Sequence, residues 1–195
     1  MRNDKEAIDR LFKLQAKINM MVVDEVRDAT AVADALQQIL MERRECLHHL
    51  ETITLAPTKG KVTLAKSAKV FTGFLDSDFK NWDTDVPGED TAETKVDVHE
   101  MARNGNYRTL FGSLGDPCKL CFTQGQIVEF CHSHRGSLRQ EGYGTFFLFE
   151  VNNVLFVAYV YVRGGELRAD VNCFGYDVVW DAGLRHRLVV RQQTA

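Results

Sequence analysis

The run Val154-Leu-Phe-Val-Ala-Tyr-Val-Tyr-Val162 constrains this chain more than any other stretch. Every residue in it is apolar or aromatic, and most are β-branched or aromatic, the types that favour a pleated strand. It does not alternate, so it has no polar face to turn to water. A strand of that kind is central in its sheet and covered on both sides. Two different covers are therefore required. An N-terminal helical hairpin and a second subunit are the candidates. The wider apolar stretch from Phe146 to Val162 is interrupted by Glu150, Asn152 and Asn153 and makes a poor membrane span.

The flanking pattern extends the sheet. Thr145–Val151 precedes the run and is joined to it by Asn152-Asn153; Glu166–Phe174 follows Gly164-Gly165. Both dipeptides suit two-residue turns that need positive φ, so consecutive hairpins are expected. Leu167, Ala169, Val171 and Cys173 alternate with Glu166, Arg168, Asp170 and Asn172, the signature of a half-buried strand. A last strand is expected over Arg187–Arg191. The fold class read from this is α+β: an antiparallel meander of about four strands packed with helices.

The first third of the chain reads as helical. Ile8, Leu11, Leu14, Ile18 and Met21 recur at three- and four-residue steps. After a polar break at Asp24–Asp28, a second helix is expected from Thr30 to about Leu50, with Leu36, Ile39, Leu40, Leu47 and Leu50 as its stripe. The two form an antiparallel hairpin over residues 1–55, ahead of an α+β domain over 56–195. Such a hairpin has half a core and buries its stripe elsewhere. Residues 55–70 read as a connector, with short β pieces at 61–64 and 69–75. Asp76–Thr91 reads as a loop and Glu93–Arg103 as a further helix. Thr123-Gln-Gly-Gln126 is a capping box. Ile127, Phe130, Cys131 and His134 then share one helix face, and Gly136 supplies the stop.

Composition excludes more than it indicates. The chain has 195 residues, 45% hydrophobic and 26% charged, with a net charge of -3. That is the balance of an ordinary globular protein, with no global pull toward nucleic acid. Lys59, Lys61, Lys66 and Lys69 form a basic segment poor in aromatics, a weak nucleic-acid signal. No signal peptide opens the chain, and five cysteines do not make a secreted disulfide scaffold, so a cytoplasmic protein is expected. There is no P-loop, dinucleotide fingerprint, Gly-x-Ser-x-Gly or His-Glu-x-x-His. No cofactor is implied.

Four clusters carry chemical possibilities. Cys118, Cys121, Cys131 and His134 are zinc-ligand types. The helix starting at Thr123 would set Cys121 and Cys131 roughly 12–15 Å apart, too far for one ion with bonds of about 2.3 Å to sulfur. Cys121, near a helix N-terminus, is a candidate nucleophile if His99, His134 or His186 lies beside it; a half-buried inert thiol is the favoured alternative. Asp76-Ser-Asp78-Phe-Lys80-Asn81 starts like a calcium loop but carries lysine at the fifth position and lacks glycine at the sixth. Asp83 and Asp85 remain as magnesium donors, against a solvated loop. Trp82 in that loop pins it to the core or meets a partner. Near the end, Trp180, Asp181, Arg185, His186 and Arg187 crowd together, and Arg185, His186 and Arg187 could bind an anion, although His186 points opposite to the arginines on a strand. An Asp181–Arg185 ion pair beside a packed tryptophan is the favoured alternative.

Phe71-Thr-Gly73, Asp78-Phe-Lys-Asn-Trp82, Pro87-Gly88, Phe111-Gly-Ser-Leu-Gly-Asp116, Gly142-Tyr-Gly-Thr-Phe-Phe-Leu-Phe149, Val179-Trp-Asp-Ala182 and Arg185-His-Arg187 form a distinctive set. On these strings, residues 71–195 resemble an uncharacterised family of bacterial hypothetical proteins. The resemblance brings no activity, cofactor or catalytic residue. It implies that the position of Cys118 is often not cysteine, which weakens zinc further.

The reading that fits these features is a small non-catalytic binding or interaction module. It pairs with itself as a homodimer or with another protein, with no membrane and no nucleic acid. Trp82, Tyr143, Trp180, Arg185 and Arg187 are its candidate contact residues. The alternatives are a hydrolase or nuclease using Asp78, Asp83, Asp181 and His186, and a zinc protein using the cysteine–histidine cluster.

Overall fold

The computed structural model describes residues 46–192, together with Lys13. The chain divides into two compact units, Met1–Glu45 and Cys46–Ala195. The expected N-terminal helices lie outside the described residues up to position 45. Their continuation does not: residues 47–50, read from sequence as the end of a helix, begin a strand.

The second unit is built on one sheet of seven strands. In chain order these are β1 (Leu47–Leu55), β2 (Phe74–Leu75), β3 (Thr94–Met101), β4 (Gly144–Val151), β5 (Val154–Arg163), β6 (Glu166–Cys173) and β7 (Arg187–Arg191). Their spatial order is β1-β3-β7-β4-β5-β6-β2. The sheet is mixed, since β4 runs parallel to β7 and β2 parallel to β6. The expected four-strand antiparallel meander is therefore incorrect. It holds only locally, in the β4–β5–β6 hairpins. The two turns there work as read: Asn152, Asn153, Gly164 and Gly165 all have positive φ.

Two strands were missed for physical reasons. β3 was read as a helix because Val96, Val98 and Met101 also fit helical steps. Their period is two up to Val98: Val96 and Val98 are buried, while Lys95 and Asp97 are not. β1 carries a bulge between His49 and Glu51 where it pairs with β3. The extra residue switches the buried side, so Leu47 packs on one face of the sheet and Ile53 and Leu55 on the other. A bulged strand has the spacing of neither regular element.

Four short helices cover the sheet: α1 (Asp78–Asn81), α2 (Tyr107–Gly112), α3 (Pro117–Leu120) and α4 (Gln124–Ser133). α4 begins at the expected capping box, with both reciprocal bonds formed at Thr123 and Gln126. Ile127, Phe130 and Cys131 of α4 and Phe79 of α1 pack on one face, against Val96, Phe147, Phe149, Ala158 and Val160. Tyr107, Leu110, Phe111 and Leu120 pack on the other, with Phe146, Leu148, Val157 and Leu188. Each fully buried side chain of this size contributes roughly 1.5–3 kcal/mol relative to exposure. Both covers that β5 demands thus come from the same unit of the chain. The β piece expected at 61–64 is absent, and a 3-10 turn occupies Leu64–Lys66.

Candidate functional site

The two ends of the sheet are finished differently. On the outer side of β6, Gly73 and Asp76 donate their N–H groups to the Leu167 and Ala169 carbonyls. The Asp76 carboxylate accepts from the Val171 N–H at 3.4 Å and the Asp78 N–H at 2.9 Å. That edge is closed by backbone and by one acid, both of whose carboxylate oxygens accept backbone N–H groups. At the opposite end, β1 is nine residues long and, among the described residues, pairs only with β3. Of the usual protections of an exposed strand, this edge has a bulge and Glu51 in its first half; Thr52–Leu55 carries no charge and no proline.

The hydrogen-bond alternation fixes which backbone groups of β1 point away from β3. In β3, Met101 donates its N–H to the His186 carbonyl, and the Lys95 carbonyl accepts from Gln192. Odd-numbered residues of β3 therefore direct their backbone groups toward β7, and even-numbered ones toward β1. Ile53 lies opposite Val96, and Leu55 opposite Thr94, so both bond inward. Thr52 and Thr54 lie opposite Asp97 and Lys95 and direct N–H and C=O outward. Both threonines are exposed. The Thr52 hydroxyl donates to Asp97 at 2.6 Å, and His49 lies 3.4 Å from the same carboxylate oxygen. His99 packs its ring edge against His49, with centroids 5.4 Å apart. Burial first, then the His49 charge, hold the His99 pKa below the usual imidazole value.

The candidate residues read from sequence separate into three places. Tyr143, Trp180 and His186 do converge. The His186 ring stacks on Phe146 at 5.2 Å and meets Trp180 edge-on at 5.2 Å and Tyr143 edge-on at 6.1 Å. His186 is 2% exposed. Its Nδ1 accepts the Gly144 N–H at 3.0 Å, so the neutral ring carries its proton on Nε2. Neither Nε2–H nor the Trp180 Nε1–H has an acceptor among the described residues. Burial holds the His186 pKa down. Arg185, by contrast, turns away at φ 55 and pairs with Glu100 at 2.8 Å, not with Asp181 as expected. Arg187 donates to the Ser137 carbonyl at 2.7 Å, and the Asp181 carboxylate accepts from the Gly183 N–H at 2.8 Å. The basic cluster does not assemble around one anion.

Asp78, Trp82 and Asp83 lie on the other side of the sheet. Phe79 between them packs in the α4-facing core, and the Trp82 ring rests 6.5 Å from Phe156 with 42% of its surface exposed. Asp78 accepts from the Asn81 side chain at 3.0 Å. Asp83 lines a cleft of about 390 Å³ with Lys80, Asp85 and Val86. Burial works against the Asp85 carboxylate, yet the Thr63 hydroxyl and the Lys66 ammonium, 2.9 Å away, hold its pKa below the usual value. The sheet therefore separates Asp78 and Asp83 from Asp181 and His186.

The cysteines separate in the same way. Cys131 packs in the α4-facing core, and burial pushes its pKa up. Cys121 packs against the opposite core, and burial, then the Glu150 charge, push it up to about 12. Its thiol donates to the Pro117 carbonyl. Cys121 thus lacks the lowered pKa expected of a helix N-terminus. Cys118 is exposed, and the His134 ring lies against Phe130. Among the described residues no group of three or more His, Cys, Asp or Glu side chains is placed to hold a metal ion.

Sequence reasoning missed β1 altogether. The signal was present in Thr52-Ile53-Thr54, two β-branched types in alternation, but helical spacing at Leu47 and Leu50 masked it. No helix among the described residues is long and apolar enough to cross a membrane. Comparison with known proteins finds no matching family model, no matching curated protein and no matching solved structure.

Proposed function

We propose that this chain is a non-catalytic interaction module of the cytoplasm that self-associates through the outer edge of β1. The observation that carries the reading is the asymmetry of the two sheet edges. The β6 edge is closed by β2 and Asp76, while β1 presents Thr52 and Thr54 backbone groups that have no partner among the described residues, along an exposed strand. The unpaired backbone groups of an edge strand are a template for a further strand, and strand addition satisfies them.

Two further observations favour the module over an enzyme. Of the residues proposed for hydrolysis, Asp78 and Asp83 lie on one side of the sheet and Asp181 and His186 on the other. The thiols of half-buried Cys121 and buried Cys131 are held in their unreactive form. The cytoplasmic reading is supported by all five cysteines being free thiols. Sedimentation equilibrium of the full chain tests the proposal. Reversible association to twice the 22.1 kDa chain mass is expected. A single species of one chain mass, up to hundreds of micromolar, overturns it.

A further inference from the structure

We infer that two copies pair antiparallel along β1, about a two-fold axis passing through Ile53, so that the sheet continues from one copy into the next. This rests on the self-association proposed above and specifies the partner as a second copy in one register.

The bulge selects the register. A strand pairing with its own copy about a two-fold axis sets residues facing each other at equal distances from the centre. Facing residues must also lie on the same face of the continued sheet. Leu47 lies on one face and Ile53 on the other, with the bulge between His49 and Glu51 separating them. Any register that pairs across the bulge therefore sets a core-facing residue of one copy beside an opposite-facing residue of the other. The bulge-free part of β1 is Glu51–Leu55, and its longest symmetric pairing is centred on Ile53. Pro57, with no N–H, follows two residues after the strand and closes the register on that side.

That register also satisfies the backbone. Thr52 of each copy faces Thr54 of the other, and these are the residues whose N–H and C=O groups point outward. Each such pair exchanges both of its N–H···O bonds, and the axis generates two pairs. Ile53 bonds inward to Val96, so Ile53 faces its own copy as a non-hydrogen-bonded pair, the closer kind, with Cα atoms about 4.5 Å apart. The sequence Thr52-Ile53-Thr54 reads the same in both directions, so threonine meets threonine and isoleucine meets isoleucine, both favourable cross-strand pairs. Glu51 faces Leu55, and no like charges are opposed. A register centred on Glu51 would set two carboxylates face to face.

Two substitutions test the pairing in the full chain. Thr54→Pro removes an outward N–H and leaves the β3 ladder intact. It should weaken dimerisation at least tenfold, since two intermolecular hydrogen bonds are lost, with an unchanged far-ultraviolet spectrum and, at concentrations where both proteins are monomeric, an unchanged unfolding midpoint. Ile53→Cys places thiols on the axis at a separation within the Cα range of about 4.4–6.8 Å for a disulfide. Mild oxidation should then give a position-53 to position-53 linked peptide by mass spectrometry. Thr54→Cys, whose two copies do not face each other, should give no such self-link. The cross-link decides the register even if Thr54→Pro loses its fold. A chain that stays monomeric overturns the self-association reading and this pairing with it. A dimer that Thr54→Pro leaves unchanged, or one without the position-53 link, overturns the pairing alone.

Discussion

The Tyr159 ring lies flat over the backbone of Gly144, leaving no room for a side chain there: a Cβ on Gly144 would overlap the Tyr159 ring atoms. Gly144 opens β4 and Tyr159 sits next to its partner Tyr161 on β5. The ring continues into a stack with Trp180, centroids 5.4 Å apart and nearly parallel. Gly144→Ala should therefore destabilise the protein by about 1–3 kcal/mol through overpacking. Tyr159→Leu should recover part of that loss in the double variant, because the clash and its relief share one neighbour. Urea unfolding of the four species of the cycle measures this. Additive effects of the two substitutions would contradict the direct contact.

Buried His186 and half-buried His99 set a direction for the pH dependence of stability. His186 and His99 both have folded-state pKa values below the unfolded imidazole value, chiefly through burial. At pH above the unfolded value of about 6.5 both states are neutral and no penalty arises. As pH falls below it, the unfolded chain binds protons that the folded chain resists. Stability is then lost down to the folded pKa of each group. Each contributes a slope of at most about 1.4 kcal/mol per pH unit. Unfolding measured between pH 7.5 and 5 should show that decline, and His186→Gln should flatten it. An unchanged slope in the variant would show that His186 charges freely in the folded state.

How far the fold was legible depended on whether a signal was local. The β4–β5–β6 hairpins rest on two dipeptides that adopt positive φ, and the α4 start rests on a four-residue capping box. Both are written in adjacent residues and both were readable. β7 was readable over its actual bounds, Arg187–Arg191. Strand order was not, because β7 sits between β3 and β4 through pairings of residues far apart in the chain. The candidate edge was hidden twice, first by the bulge that breaks the period of β1, and then because being an edge is a property of strand order. The aromatic cluster was partly visible: Tyr143, Trp180 and His186 were singled out. Only the sheet brings them together by setting Gly144 beside His186.

The thiols provide a test of burial independent of any function. Cys118 and Cys173 are exposed, Cys46 and Cys121 are half-buried, and Cys131 is buried. With Cys121 pushed up to about 12 and its thiol donating to the Pro117 carbonyl, its thiolate is scarce at neutral pH. A disulfide reagent at pH 7.5 should label Cys118 and Cys173 fast and leave Cys121 and Cys131 unlabelled until the chain unfolds. Peptide mapping after brief labelling checks this. Rapid modification of Cys121 would restore it as a reactive residue.

Gln124 holds the segment before β3 onto α4. Its Oε1 accepts the buried Leu64 N–H at 2.9 Å, and its Nε2 donates to the Thr84 carbonyl at 2.6 Å and the Val86 carbonyl at 3.2 Å. One 6% exposed side chain thus satisfies three backbone groups from two loops. Gln124→Ala should cost about 1–3 kcal/mol, because buried backbone groups lose their partners and water does not replace them. Gln124→Glu separates donor from acceptor. At pH 7.5 its carboxylate still accepts from Leu64 but faces two carbonyl oxygens with no proton to donate. The loss relative to wild type should then exceed that of Gln124→Ala. At pH 4.5, where the carboxyl is protonated, one donor returns and the loss relative to wild type at the same pH should shrink. A Gln124→Glu penalty independent of pH would mean that the side chain leaves the loops for solvent, and that Gln124 packs there without holding them.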